Sequence, residues 1–158
     1  MARTPTQEIE QSEVVMTTDA IEQRVRIAAS PQTVWSFWTD AQRLCEWWGC
    51  SAEVQPRPGG LFRLETSPGG PVMRGEYIEL VPHSRLVFSF GWEHNAPGEP
   101  VAPGSTKVEV TLTPVGDETD VHVVHLGLPS EQVQAHTEGW QLFVGRRLVD
   151  AAERSVNR

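Results

Sequence analysis

From Ile21 to Ile27 the chain alternates, with Ile21, Gln23, Val25 and Ile27 on one side and Glu22, Arg24 and Arg26 on the other. A period of two marks a strand with one face buried and the other in water. Ser30 then precedes Pro31, a hydroxyl able to cap a helix followed by a ring whose fixed φ suits the first turn and whose missing N–H is not needed there. A helix through Val34, Trp35 and Trp38 is expected, and Asp40 caps a second short one that runs through Leu44 to Trp47 and stops at Gly49. Turn-forming clusters recur beyond it, at Pro56 to Gly60, Pro68 to Pro71, Pro82 to Ser84, Asn95 to Gly104 and Gly116-Asp117. They separate apolar runs at about 51–55, 61–66, 72–81, 85–93, 105–114 and 119–127, each the length of a strand. Connections this short do not allow parallel crossovers, so the strands pair antiparallel. Pro129-Ser130-Glu131 opens a last segment to about Ser155, in which Val133, Trp140, Val144, Leu148 and Ala151 form a stripe at helical spacing with Phe143 beside them. Such a helix needs an apolar surface to lie on. The expectation is an α+β domain over residues 20–158, with six to seven antiparallel strands wrapped around a long C-terminal helix, two short helices after the first strand, and a polar tail over residues 1–19.

Composition removes several functions. With 39% hydrophobic residues and six tryptophans the chain is too apolar and aromatic to stay unfolded. A net charge of −8, with no basic run longer than Arg146-Arg147, gives no face for nucleic acid. No stretch is long and apolar enough to span a bilayer and the N-terminus has no signal-like pattern, so a cytoplasmic location without membrane contact is expected. Cys45 and Cys50 are not spaced as a C-x-x-C motif and are read as reduced, apolar-like side chains. No phosphate loop and no G-x-S-x-G elbow occur, and His122 and His125, three apart on a strand, point to opposite faces. Hence neither a metal nor a cofactor is expected.

Several segments recur in a recognisable order over residues 20–153: Ala29-Ser30-Pro31 with Val34-Trp35, Thr39-Asp40 followed by Trp47-Trp48-Gly49, Gly59-Gly60, and Gly75 through Pro82 running into Arg85 to Phe88. Thr119-Asp120-Val121, His125 through Pro129 and Gly139-Trp140 complete the series. This order resembles the START-like (SRPBCC, Bet v 1-like) superfamily, in the branch similar to the C-terminal domain of the activator of heat-shock protein 90 ATPase. The resemblance implies the helix-grip fold, with a hydrophobic cavity between the long helix and the concave face of the sheet.

Strand parity gives the expected inner face. It holds Phe62, Leu64, Ile78, Leu80, Leu86, Phe88, Phe90, Trp92, Val108, Val110, Leu112, Val121 and Val123, turned toward Trp140 and Val144. Arg74, Glu76 and His125 share that parity, and buried polar groups there would orient a ligand's polar atom. Trp47-Trp48 and the loop from Asn95 to Gly104, rich in proline and glycine, are expected at the rim, the loop as a lid. The expected ligand-binding set is therefore Trp47, Phe62, Leu64, Arg74, Glu76, Ile78, Phe88, Phe90, Trp92, His125, Trp140 and Val144, with no catalytic residue. A small apolar or amphipathic molecule is the expected partner. Two other readings stay open: a module, as monomer or homodimer, that docks on a chaperone, and a small cyclase or hydrolase using Glu76, Arg74 or His125 for proton transfer.

Overall fold

The computed structural model describes residues 20–93 and 101–157. The tail expected over 1–19 and residues 95–100 of the expected lid lie outside the described residues. Seven strands follow the pattern of the sequence closely: β1 (Ile21–Ile27), β2 (Ser51–Val54), β3 (Leu61–Glu65), β4 (Val72–Val81), β5 (Arg85–Phe90), β6 (Thr106–Val115) and β7 (Glu118–Leu126). They form one antiparallel sheet in the order β1-β7-β6-β5-β4-β3-β2. Each strand from β2 to β7 pairs with its neighbour in sequence, and β1 returns to pair with β7, Ile21 opposite His125.

Between β1 and β2 lie α1 (Pro31–Thr39) and α2 (Ala41–Leu44). The caps are those read from the sequence: Ser30 Oγ accepts from Thr33 N–H, and Asp40 accepts from Gln42 N–H. The C-terminal helix begins as α3 (Ser130–Leu142), widens into a π-helical stretch (Phe143–Leu148) and continues as α4 (Val149–Val156). That widening was not anticipated. It suits the buried positions Trp140, Val144 and Leu148, which stand four apart and would drift off one face of a regular helix.

The helix lies across the concave sheet face, and most of the space between them is filled. Trp38, Trp47, Trp48, Phe62, Tyr77 and Phe88 form a continuous buried aromatic cluster, with ring centroids 4.6 Å apart for Phe62 and Phe88 and 4.8 Å for Trp38 and Trp47. Offset and edge-on contacts of this kind add to the burial of large apolar surfaces. Two hydrogen bonds tie α1 into the cluster, Trp47 Nε1 to the Phe37 carbonyl at 2.8 Å and Tyr77 Oη to the Trp38 carbonyl at 2.9 Å. Burial also pushes the Tyr77 phenol well above its ordinary pKa.

One strand departs from the expected parity. On β4 the buried side chains are Met73 and Tyr77, with Gly75 between them, while Arg74 and Glu76 are exposed and Ile78 is 49% exposed. Arg74, Glu76 and Ile78 are thus on the outer face, not in the interior. Both faces of β4 carry apolar residues, so local alternation could not choose between them, and a bulge between Tyr77 and Glu79 shifts the phase so that Leu80 packs on the core after all. Gly75 stands two residues before the bulge, and a Cβ there would lie 1.8 Å from the Ser89 carbonyl oxygen of β5. Gly75→Ala must push two paired strands apart, and is expected to lower stability by about 3 kcal/mol in a urea titration.

Candidate functional site

Where the aromatic cluster meets α3, the packing opens into a pocket of about 260 Å³. Its walls are Trp48 from the turn after α2, Thr66 after β3, Phe90 and Trp92 at the end of β5, Ala135, His136, Gly139 and Trp140 of α3, and Phe143. These positions are explained by helix geometry: Ala135 and Gly139, and His136, Trp140 and Phe143, are three or four apart and so share the face turned to the sheet. The lining is overwhelmingly apolar.

Two tryptophan–histidine pairs form one side. Trp140 Nε1 donates to His125 Nδ1 at 3.0 Å, and His125 Nε2 lies 2.9 Å from Thr106 Oγ1, whose hydroxyl donates to the Phe90 carbonyl at 2.9 Å. An indole can only donate, so His125 must carry its proton on Nε2. The ring is fully buried, and burial, with the nearby His136 adding to it, pushes its pKa down to about 3. His136 is arranged in the opposite tautomer. Its Nε2 accepts from Trp92 Nε1 at 3.1 Å, which leaves Nδ1 to donate to the Gln132 carbonyl at 2.8 Å. The Thr66 hydroxyl is spent on the Pro71 carbonyl at 2.8 Å. Every imidazole nitrogen at the site has a protein partner, so among the described lining residues no base or nucleophile is free. What the site offers a visitor is ring faces.

Of the residues expected from sequence, Phe90, Trp92 and Trp140 line this pocket, and His125 stands behind Trp140 as its acceptor. Phe62, Leu64, Phe88 and Val144 are completely buried in the core and do not reach it. Trp47 is buried too, its indole N–H spent on Phe37, and it lines a separate recess. Arg74 and Glu76 do not pair with each other. Arg74 donates to Glu93 at 3.0 Å on the outer face, where the hydrogen bond from Arg63, with Arg74 adding, holds the Glu93 carboxyl down at about 2. Trp48, expected at the rim, is a buried wall of the pocket, whereas Thr66, Ala135, His136, Gly139 and Phe143 are lining residues that the strand reading missed. The helical stripe through Trp140 held the signal for three of them, since His136, Gly139 and Phe143 flank it on the same face. Among the described residues no group of three metal-ligating side chains occurs, and no helix is long and apolar enough to cross a membrane.

Residues 28–153 match the family described as Activator of Hsp90 ATPase homolog 1-like protein. Among solved structures, an AHSA1-like protein of Rhizobium etli is 37% identical, covering 85% of this chain and 81% of that one with a TM-score of 0.65. A protein from the dynemicin biosynthetic locus is 24% identical with a TM-score of 0.70, covering 88% of this chain, which spans about half (47%) of that longer one. The Aha1 dimer of Colwellia psychrerythraea is 22% identical with a TM-score of 0.69, covering 85% of this chain and 96% of that one. Among curated proteins nothing matches. The fold these structures share is the START-like (SRPBCC) type. With the family match spanning most of its length, the chain belongs to the Activator of Hsp90 ATPase homolog 1-like family.

Proposed function

We propose that the protein binds a small, flat, apolar ligand in the pocket between Trp48, Phe90, Trp92 and Trp140, and that it binds without transforming it. The observation that carries this reading is Gly139. A glycine in the middle of a helix costs about 1 kcal/mol relative to alanine. Nothing near it requires a glycine, because an added Cβ would meet no atom within 4 Å. The residue gives up helix stability where only pocket space is gained. A volume of about 260 Å³ compares with the ~150 Å³ cavity that accepts benzene, and so suits about two fused rings.

The spent hydrogen-bonding groups of His125 and His136 favour binding over turnover, since general acid–base catalysis needs a proton donor or acceptor within reach of the substrate. A chaperone-docking module, which the family's description brings to mind, would call for a contiguous apolar surface. Among the described residues the exposed large apolar side chains are instead divided among separate elements: Ile78 and Val81 of β4, Val115 of β6, Leu142 of α3 and Val156 of α4.

Naphthalene-1-acetamide, followed by quenching of the pocket tryptophans, tests the reading. Gly139→Leu fills the pocket from the helix side and is expected to weaken binding at least tenfold without lowering the melting temperature. Equal affinity for the two proteins, or no binding by the parent protein, would overturn the proposal.

A further inference from the structure

The apolar pocket has a polar neighbour. A second recess, of about 350 Å³, opens beside it, and Trp48 and Thr66 belong to the walls of both. Arg147 and Ser67 reach this second space. Arg147 is four positions beyond Phe143 in the π-helical stretch, and its guanidinium carbon lies 5.2 Å from the centroid of the Phe143 ring, which itself lines the apolar pocket. The cation is therefore held at the partition between the two spaces by an aromatic face, a contact that orients the fork and uses none of its five N–H donors.

Those donors are unspent. Arg24, Arg26, Arg63, Arg74, Arg85 and Lys107 are engaged in ion pairs on the outer face of the sheet and its edges, and Arg43, Arg57, Arg146 and Arg154, which are in no ion pair among the described residues, line neither space. Arg147 has neither an ion pair nor a hydrogen bond among the described residues, and the Ser67 hydroxyl likewise has no partner. Glu46 lines the same recess without pairing to it. No other guanidinium lines the apolar pocket or the recess. On a chain of net charge −8 an unpaired guanidinium beside an aromatic pocket offsets the Glu46 carboxylate of the same recess and supplies the cationic donors there, and such a spot selects among ligands by charge.

We infer that this recess is an anion subsite and that the ligand is amphipathic, an aromatic body carrying a carboxylate close to its rings. The rings occupy the pocket, and the carboxylate reaches past Trp48 and Thr66 to take the paired N–H donors of Arg147, with the Ser67 hydroxyl beside them. Arginine suits the task because its planar fork matches both oxygens of a carboxylate. The inference rests on the apolar-pocket reading above, which supplies the position of the rings.

Naphthalene-1-acetate and its neutral amide, naphthalene-1-acetamide, have nearly the same shape and differ in charge, so their affinities for the full chain at neutral pH separate the two spaces. The carboxylate is expected to bind about tenfold more tightly than the amide. Added salt should erode that advantage without weakening the amide. Arg147→Gln should bring the ratio to about one while leaving the amide affinity unchanged, and Arg147→Lys should restore part of it. Equal binding of both compounds by the parent protein, or an equal loss of both in Arg147→Gln, removes the anion subsite and leaves the apolar pocket standing. If the parent protein binds neither compound, the apolar pocket fails and the subsite falls with it.

Discussion

Replacing Trp48 with alanine is expected to lower the free energy of unfolding by about 4 kcal/mol, and indole is expected to give part of it back. Large-to-small changes at fully packed aromatic sites typically cost 3–5 kcal/mol, the lost transfer energy plus the hole left behind. Trp48 belongs near the upper end of that range because its ring touches six others, Trp38, Trp47, Phe62, Phe88, Phe90 and Trp140, at centroid distances of 5.3 to 6.4 Å. It also walls the pocket, so removing it joins the pocket to a hole shaped like an indole. A ligand that binds only the folded state stabilises it by about 2.7 kcal/mol at a hundred times its Kd. Urea titrations with and without indole should show a larger stabilisation in Trp48→Ala, where the ligand can also fill the indole-shaped hole, than in the parent protein, where only the pocket is open to it. No recovery would mean that the surrounding rings collapse into the gap.

His125→Leu should cost about 3 kcal/mol and change the response to acid. Leucine fills much the same volume but leaves the Trp140 indole N–H buried without an acceptor, and an orphaned donor carries its full desolvation penalty. Adding Trp140→Phe removes that donor, so the double variant should be more stable than the sum of the two single losses predicts. The acid response follows from a pKa of about 3 in the folded chain against about 6.5 in an unfolded one. Between those values the unfolded chain binds the extra proton, so stability is complete above about pH 6.5 and falls by about 1.4 kcal/mol per unit as the pH drops toward 3. His125→Leu should flatten that slope. The further loss from Glu93, whose carboxyl the Arg63 hydrogen bond and then Arg74 hold far below its ordinary 4.5, should persist below that pH in both proteins.

The strands were legible because turn clusters punctuate the chain and β1, β3, β6 and β7 alternate cleanly, each with one apolar parity. β4 was not, because Met73 and Tyr77 on one parity compete with Ile78 and Leu80 on the other. The decision is made by long-range pairing, Phe62 opposite Gly75 and Leu64 opposite Met73, which no local window contains. The same limit misplaced Arg74 and Glu76. Phe90, Trp92 and Trp140 were legible as aromatic residues on buried parities, whereas the adjacent Trp47 and Trp48 offered no basis for preferring one. Both turned out to be buried, and only the turn geometry after α2 aims Trp48 at the pocket. The widening at Phe143 has no pattern in the residues themselves, and it shows only in the packing it permits.

The late return of β1 to the sheet bears on how the chain is made. Strands β2 to β7 can zip together hairpin by hairpin as they leave the ribosome, each waiting only for its successor. β1 emerges before all of them, yet its partner is the last strand, with Glu22 meeting His122 across 100 positions. Closing so long a loop is a slow, non-local step. Until β7 has been synthesised, β1 lacks its edge and α1 lacks its anchor, Thr119 Oγ1 on the Ala29 carbonyl, so the tryptophans of that segment stay in water until β7 emerges. Up to that point the nascent chain carries exposed apolar surface that can stick to other chains.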